Sequence, residues 1–150
     1  MDAGRTVYFD MDGTIANLYA VPDVFKRLDA NDATPYAEAI PIPKYIDMMH
    51  QFKEMGYKVG IITACSRFPP NTPDDVKAKM NIETEANKIK WLKEQGLWGI
   101  IDTFQFIPCG VSKYEVTEDK TGVLVDDEDK VLATWYSDRI KAVNEHKAKF

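Results

Sequence analysis

The chain has 150 residues, and 19 Lys and Arg against 24 Asp and Glu give a net charge of -5 at pH 7. That length suits one domain with a real core, and 45% hydrophobic with 29% charged residues excludes the disordered, collagenous and low-complexity classes. The acidic balance gives no general attraction to a nucleic-acid polymer or an anionic membrane, but leaves small anionic ligands open.

In chain order, Thr6-Val7-Tyr8-Phe9 is a β-branched and aromatic run stopped by Asp10-Met11-Asp12-Gly13, which predicts a buried strand and a turn. Val21, Val24, Phe25 and Leu28 keep helical spacing, with Pro22 near the start. Residues 29–43 are rich in Pro and turn-formers and read as a loop. A helix is expected from Pro43 to Met55, with Ile46, Met49 and Phe52 on one face and Gly56 as its stop. Lys58 to Thr63 reads as a second buried strand, and Phe68 to Pro73 as irregular. A helix over about Glu83–Gln95 would turn Ala86, Ile89 and Leu92 inward. Phe104–Ile107 and Gly122–Val125 are further strands, the last ending in Asp126-Asp127. A short helix (about Glu128–Tyr136) and a strand (Arg139–Val143) follow.

Strands that are continuous apolar runs, alternating with helices, predict an α/β, Rossmann-like parallel sheet with helices on both faces. In such sheets ligands bind at the carboxyl ends of the strands. Asp10 and Asp12, Thr63, and Asp126 and Asp127 directly follow three predicted strands, so they should converge on one crevice. Four carboxylates near one point raise each other's pKa, and either a shared proton or a bound cation relieves this. Oxygen ligands without Cys or His favour a hard ion, Mg²⁺ before Ca²⁺, and such a site commonly takes substrate phosphate.

Phosphoryl transfer needs a nucleophile, charge neutralisation and a proton donor for the leaving group. Asp10 is placed as the nucleophile and Asp12 as the acid and then base. Thr63 with the following amides, Ala64 and Cys65, suits the phosphate oxygens. A lysine should balance the anion. Lys113, after Pro108-Cys109-Gly110, is the best-placed candidate, with Lys120 as a rival.

This constellation resembles the haloacid dehalogenase superfamily of phosphotransferases. Val7-Tyr8-Phe9-Asp10-Met11-Asp12-Gly13-Thr14 is similar to its nucleophile loop, and Ile61-Ile62-Thr63-Ala64 to its second motif. Lys113 in Gly110-Val111-Ser112-Lys113 resembles its third-motif lysine, and Leu124-Val125-Asp126-Asp127 its acidic fourth motif. The resemblance implies Asp10 as nucleophile and Asp12 as acid/base, with the Asp12 carbonyl also on Mg²⁺. It further implies Asp127 as direct metal ligand and Asp126 as supporting carboxylate. An Asp two residues after the nucleophile accompanies phosphatases in this superfamily. Within it the chain is most similar to the 5'(3')-deoxyribonucleotidase-like group, on Asp12 to Asn17, Lys88-Ile89-Lys90-Trp91-Leu92, and Trp135 with Ile140 to Val143. That implies a (deoxy)nucleoside monophosphate as substrate. One haloacid dehalogenase-like domain over residues 1–150 is expected, with a small helical cap insert at about 18–42.

Competing readings fare worse. As an EF-hand loop starting at Asp10, the sequence would place Ile15 where Gly is needed and Val21 where Glu is needed. A cysteine-phosphatase loop would want an arginine six positions after the cysteine, where Asn71 follows Cys65 and Glu115 follows Cys109. Cys65 therefore reads as a small buried residue. Two cysteines, with His50 and His146 as the only histidines, suit reduced thiols and give no Cys/His metal spacing. Tyr19, Phe25, Tyr36 and Tyr45 are candidates for core or for a base-stacking lid, and Trp91, Trp98 and Trp135 read as packing residues. No apolar run approaches the ~18 residues of a membrane span. A cytoplasmic enzyme is expected, taking a small phosphomonoester, with no nucleic-acid polymer or membrane partner and with a homodimer possible; the alternatives are a phosphatase of another small phosphometabolite or of a nucleic-acid 3'-phosphate end, or a catalytically idle domain that binds metal or phosphate.

Overall fold

The computed structural model describes residues 4–143. In chain order the elements are β1 (Thr6–Phe9), β2 (Ala16–Asn17), a 3-10 turn (Leu18–Ala20), α1 (Val24–Asp29), α2 (Pro35–Glu38) and β3 (Ile40–Pro41). Then come α3 (Pro43–Glu54), β4 (Lys58–Ala64), α4 (Asp74–Glu94), β5 (Thr103–Ile107), α5 (Lys113–Val116), β6 (Val123–Asp126), α6 (Asp129–Ala133) and β7 (Arg139–Lys141). Five strands form one sheet in the order β5-β4-β1-β6-β7, and every pairing is parallel. β1 lies at the centre, with all four of its residues buried and three of them, Val7, Tyr8 and Phe9, apolar or aromatic enough to be covered from both sides.

The pleat sends alternate residues of β1 to opposite faces. Val7 and Phe9 join Tyr45 and Met49 of α3 and Trp91 and Leu92 of α4 in one core. Tyr8 joins Leu124, Leu132 and Trp135 in the other. Each fully buried large apolar side chain contributes about 1.5–3 kcal/mol by leaving water. Trp91 and Trp135 also have their ring N–H groups satisfied, by the carbonyls of Ala39 at 2.7 Å and Gly122 at 3.1 Å. Trp98 differs: it is 36% exposed and meets Phe104 edge-on. Because β4 and β6 flank β1 on either side, the chain reverses direction of travel at β1. The carboxyl ends of these three strands bound the crevice that such a reversal opens.

Three differences from the sequence reading concern the segments around the sheet. Residues 29–43 are not a plain loop: Pro35 starts α2, and β3 pairs antiparallel with β2, tying off the insert at its base. The insert has its own small core of Leu18, Val21, Val24, Ala33 and Tyr36, closed by Met80 of α4. Helix α4 begins at Asp74, well before Glu83, with Asp74 and Asp75 in its first turn where they oppose the helix dipole. Its buried residues are Met80, Thr84, Lys88, Trp91 and Leu92, so Ala86 faces solvent. His146 lies outside the described residues. No helix among them is long and apolar enough to cross a membrane.

Candidate active site

Leaving β1, the Asp10 amide still donates to the Val125 carbonyl at 3.0 Å, so its side chain starts from a rigid strand end. The amides of Thr14, Ile15 and Ala16 then converge on the Met11 carbonyl at 3.0, 3.1 and 3.0 Å. This tight loop turns at Gly13, whose φ of 88° suits glycine. A Cβ on Gly13 would stand 2.3 Å from Asp127 Oδ2. The glycine therefore lets the loop from β1 pass directly beneath the acidic end of β6.

Asp10, Asp126 and Asp127 are buried, and each places one carboxylate oxygen within 4.8 Å of the other two. Lys113 joins them: its ammonium donates to Asp10 Oδ1 at 2.9 Å and Asp126 Oδ2 at 2.8 Å. The Thr14 hydroxyl donates to Asp10 Oδ2 at 3.3 Å. Burial pulls the Lys113 pKa down, but the charges of Asp10 and Asp126 outweigh it, and the net direction is upward. Burial first, and the Asp10 charge second, push Asp126 up to about 6 against the pull of Lys113. A divalent cation would relieve that crowding, and the all-oxygen donor set fits a hard ion such as Mg²⁺. Lys120, the rival, is exposed and turns its ammonium to the Tyr114 carbonyl, away from this cluster.

Asp12 stands apart from the trio. Its side chain, 28% exposed, reaches Lys88, whose ammonium lies 3.0 Å from Asp12 Oδ2. Desolvation raises the Asp12 pKa, with Asp10 adding to it and Lys88 opposing. The same ammonium donates to Thr63 Oγ1 at 2.7 Å and to the Ala64 carbonyl at 2.8 Å. Thr63 is thus buried behind the site rather than on its wall, while Ala64 lines it. The Cys65 amide, expected to be available to phosphate, is committed to the Ile107 carbonyl at 2.8 Å. Lys88 is met in the sequence only within the Lys88-to-Leu92 stretch, and its place in the site is hidden there. A lysine on the buried face of a helix contradicts the hydrophobic pattern that locates such faces.

Asp10, Asp12, Lys113 and Asp126 open onto a cavity of about 730 Å³. The insert supplies Leu18, Tyr19, Phe25, Leu28 and Tyr36 to its wall, and the loop after β4 supplies Cys65, Ser66 and Arg67. Insert and core are joined across it by a hydrogen bond between the Tyr36 and Ser66 hydroxyls. Tyr45, by contrast, is core: it is buried on α3, and its hydroxyl accepts from the Val143 amide at 2.7 Å. Cys65 is half-buried on the cavity wall rather than buried. Cys109 lies beside it, its thiol donating to the Cys65 carbonyl at 2.6 Å, and burial with the neighbouring thiol pushes it up to about 12.

No family model and no curated protein matches the chain. Solved structures do. A chain of the Pnkp1/Rnl/Hen1 RNA repair complex superposes with a TM-score of 0.63 at 12% identity, covering 95% of this chain and 43% of that one. A second structure of that complex gives 0.60 at 12% identity, covering 95% and 47%. A hydrolase from Streptococcus pneumoniae TIGR4 gives 0.51 at 7% identity, covering 96% and 95%. The chain spans less than half the length of the chains it matches in the repair complex. At such identities the likeness is one of fold. That fold is the α/β, Rossmann-like parallel sheet with helices expected from the sequence.

Proposed function

We propose that this chain is an Mg²⁺-dependent phosphatase that hydrolyses a small phosphomonoester through an aspartyl-phosphate on Asp10. One observation carries the reading. Asp10 sits at a rigid strand end, paired with a buried lysine, beside two further buried carboxylates, and faces a cavity that also receives Asp12. Asp10, Asp126 and Asp127, with the Asp12 carbonyl, would hold the ion. When bound it would neutralise the phosphoryl oxygens.

In the first step an Asp10 oxygen attacks phosphorus. The bond to the leaving oxygen breaks, and Asp12 gives that oxygen its proton. In the second step water attacks phosphorus, Asp12 takes the water's proton, and the bond to Asp10 breaks to release phosphate. The upward direction of the Asp12 pKa favours the protonated form that the first step needs. Lys113 balances the charge of the nucleophile, and Ala64 on the cavity wall is assigned to the phosphate oxygens, with Thr63 behind it holding Lys88.

A (deoxy)nucleoside monophosphate is the substrate class we favour, on the resemblance to the 5'(3')-deoxyribonucleotidase-like group. The cavity supports it, since about 730 Å³ walled by Tyr19, Phe25 and Leu18 exceeds what phosphate alone would use. The fold shared with a chain of an RNA repair complex motivates a second reading, a phosphorylated polynucleotide end as substrate. The net charge of -5 weighs against it.

The test is phosphate release from p-nitrophenyl phosphate and from a panel of mononucleotides and 3'-phosphorylated oligonucleotides, with Mg²⁺ or with EDTA. Magnesium-dependent release that is lost in Asp10→Asn is expected, with mononucleotides preferred at all salt concentrations. No release under any condition, or release undiminished in Asp10→Asn, would overturn the reading.

A further inference from the structure

Lys88 is 1% exposed, and lysine is almost never buried to that degree unless paired. All three of its N–H bonds are committed: to Asp12 Oδ2 at 3.0 Å, Thr63 Oγ1 at 2.7 Å and the Ala64 carbonyl at 2.8 Å. Two aromatic rings frame the ammonium, Tyr36 of α2 at 5.0 Å and Phe106 of β5 at 5.7 Å. Desolvating an ammonium is unfavourable by several kcal/mol, and a Met or Leu would fill the same space without that penalty. The placement therefore calls for a reason beyond packing.

We propose that Lys88 is a positioning residue for the acid/base Asp12. The inference rests on the phosphatase reading above. Thr63 and Ala64, both at the rigid end of β4, anchor the ammonium at two points. The third N–H then fixes Asp12 Oδ2, which leaves Oδ1 as the oxygen that delivers the proton to the leaving group. Asp12 needs such a hold because it lies in the loop beyond β1 and is partly open to solvent. With every donor used, Lys88 has none to offer phosphate, so it acts through Asp12. The ring of Tyr36 against the same ammonium links the insert to the acid.

Leaving-group dependence tests this, because only the loss of a proton donor is sensitive to it. In the full chain, Lys88→Met and Lys88→Gln are compared with wild type in single-turnover release of an acidic phenol from p-nitrophenyl phosphate and of an alcohol from an alkyl phosphate. General acid catalysis contributes typically 10²–10⁴-fold, so release of the alcohol should slow by at least ~10²-fold. Release of the phenol, which departs without help, should slow by less than ~10-fold. The double variant Asp12→Asn/Lys88→Met should be no slower with the alkyl phosphate than Asp12→Asn alone. Lys88→Gln keeps a donor and the polarity of the site, so it serves if the methionine variant does not fold. Equal losses on both substrates, or additive losses in the double variant, would overturn the inference and leave the phosphatase reading standing. A wild-type chain inactive on both substrates with Mg²⁺ would overturn that reading, and this inference with it.

Discussion

Gly13→Ala separates the geometry of the site from its stability. The new Cβ would lie 2.3 Å from Asp127 Oδ2 and 2.8 Å from its Cγ, whereas ordinary contact begins near 3.4 Å. The Asp127 carboxylate, or the loop itself, must then give way by roughly 1 Å, a displacement that can slow an enzyme about 10²-fold. The backbone adds a second effect, since the φ of 88° at Gly13 is left-handed. A side chain there is unfavourable by about 1–2 kcal/mol, which lowers Tm by about 2–8 °C in a chain of this size. Gly96→Ala is the control. It also has positive φ, 71°, but nothing lies within 4 Å of its added Cβ. Magnesium titrations of p-nitrophenyl phosphate hydrolysis, run beside thermal melts, should show both variants losing similar stability. Only Gly13→Ala should lose about two orders of magnitude in kcat and need more magnesium. Wild-type turnover and titration in Gly13→Ala, or equal activity losses in the two variants, would refute the reasoning.

Lys113→Met removes the cation between two buried carboxylates and should destabilise the fold by about 3–5 kcal/mol, whereas Lys120→Met should stay within about 0.5 kcal/mol in chemical denaturation. Equal effects would mean that the buried ion pair is not what holds this corner together. Asp127→Ala should raise the magnesium needed for half-maximal activity by at least ~10-fold, and an unchanged titration would point to a different ligand. Asp119 links the start of β1 to the loop before β6. Burial works against its ionised form, but the Thr121 hydroxyl and the amides of Thr6 and Thr121 outweigh that and hold it below 3.8. Because the folded-state value is depressed, its stabilisation is fully present above 3.8 and fades as pH falls through the lower value. The Tm gap between wild type and Asp119→Asn should therefore hold from neutral pH to about 5 and close on further acidification. A gap independent of pH would show that the carboxylate charge is not involved.

What the sequence reveals here follows from how each signal arises. The sheet is legible because runs such as Thr6–Phe9 and Val123–Val125 must be apolar on both faces to sit at the centre of a covered parallel sheet. Asp10, Asp126 and Asp127 are legible because strand ends in such a sheet meet at one edge, and the structure brings these three together. The first turns of α4 are not legible from periodicity. They lie against the insert rather than the sheet, and Ile82 there is 72% exposed. The usable signal was Pro73 followed by Asp74 and Asp75, a helix start. Ala86 is expected inward only if the apolar residues set the phase; in the fold, Thr84 and Lys88 take the buried positions. Lys88 is invisible to any binary pattern, because its burial depends on acceptors contributed from the loop after β1 and from the end of β4. The form of the insert is not legible, since a helix of four residues and a two-residue ribbon leave almost no periodic trace.

The most direct measurement is chemical trapping of the covalent intermediate. Wild-type chain turning over a phosphomonoester with Mg²⁺ is quenched and treated with borohydride, which reduces an aspartyl-phosphate to homoserine, and the peptides are sequenced by mass spectrometry. Homoserine at position 10 alone, absent when EDTA is added first, is the predicted result. Sustained turnover with Asp10 unmodified, or with modification at a different carboxylate, would contradict the account.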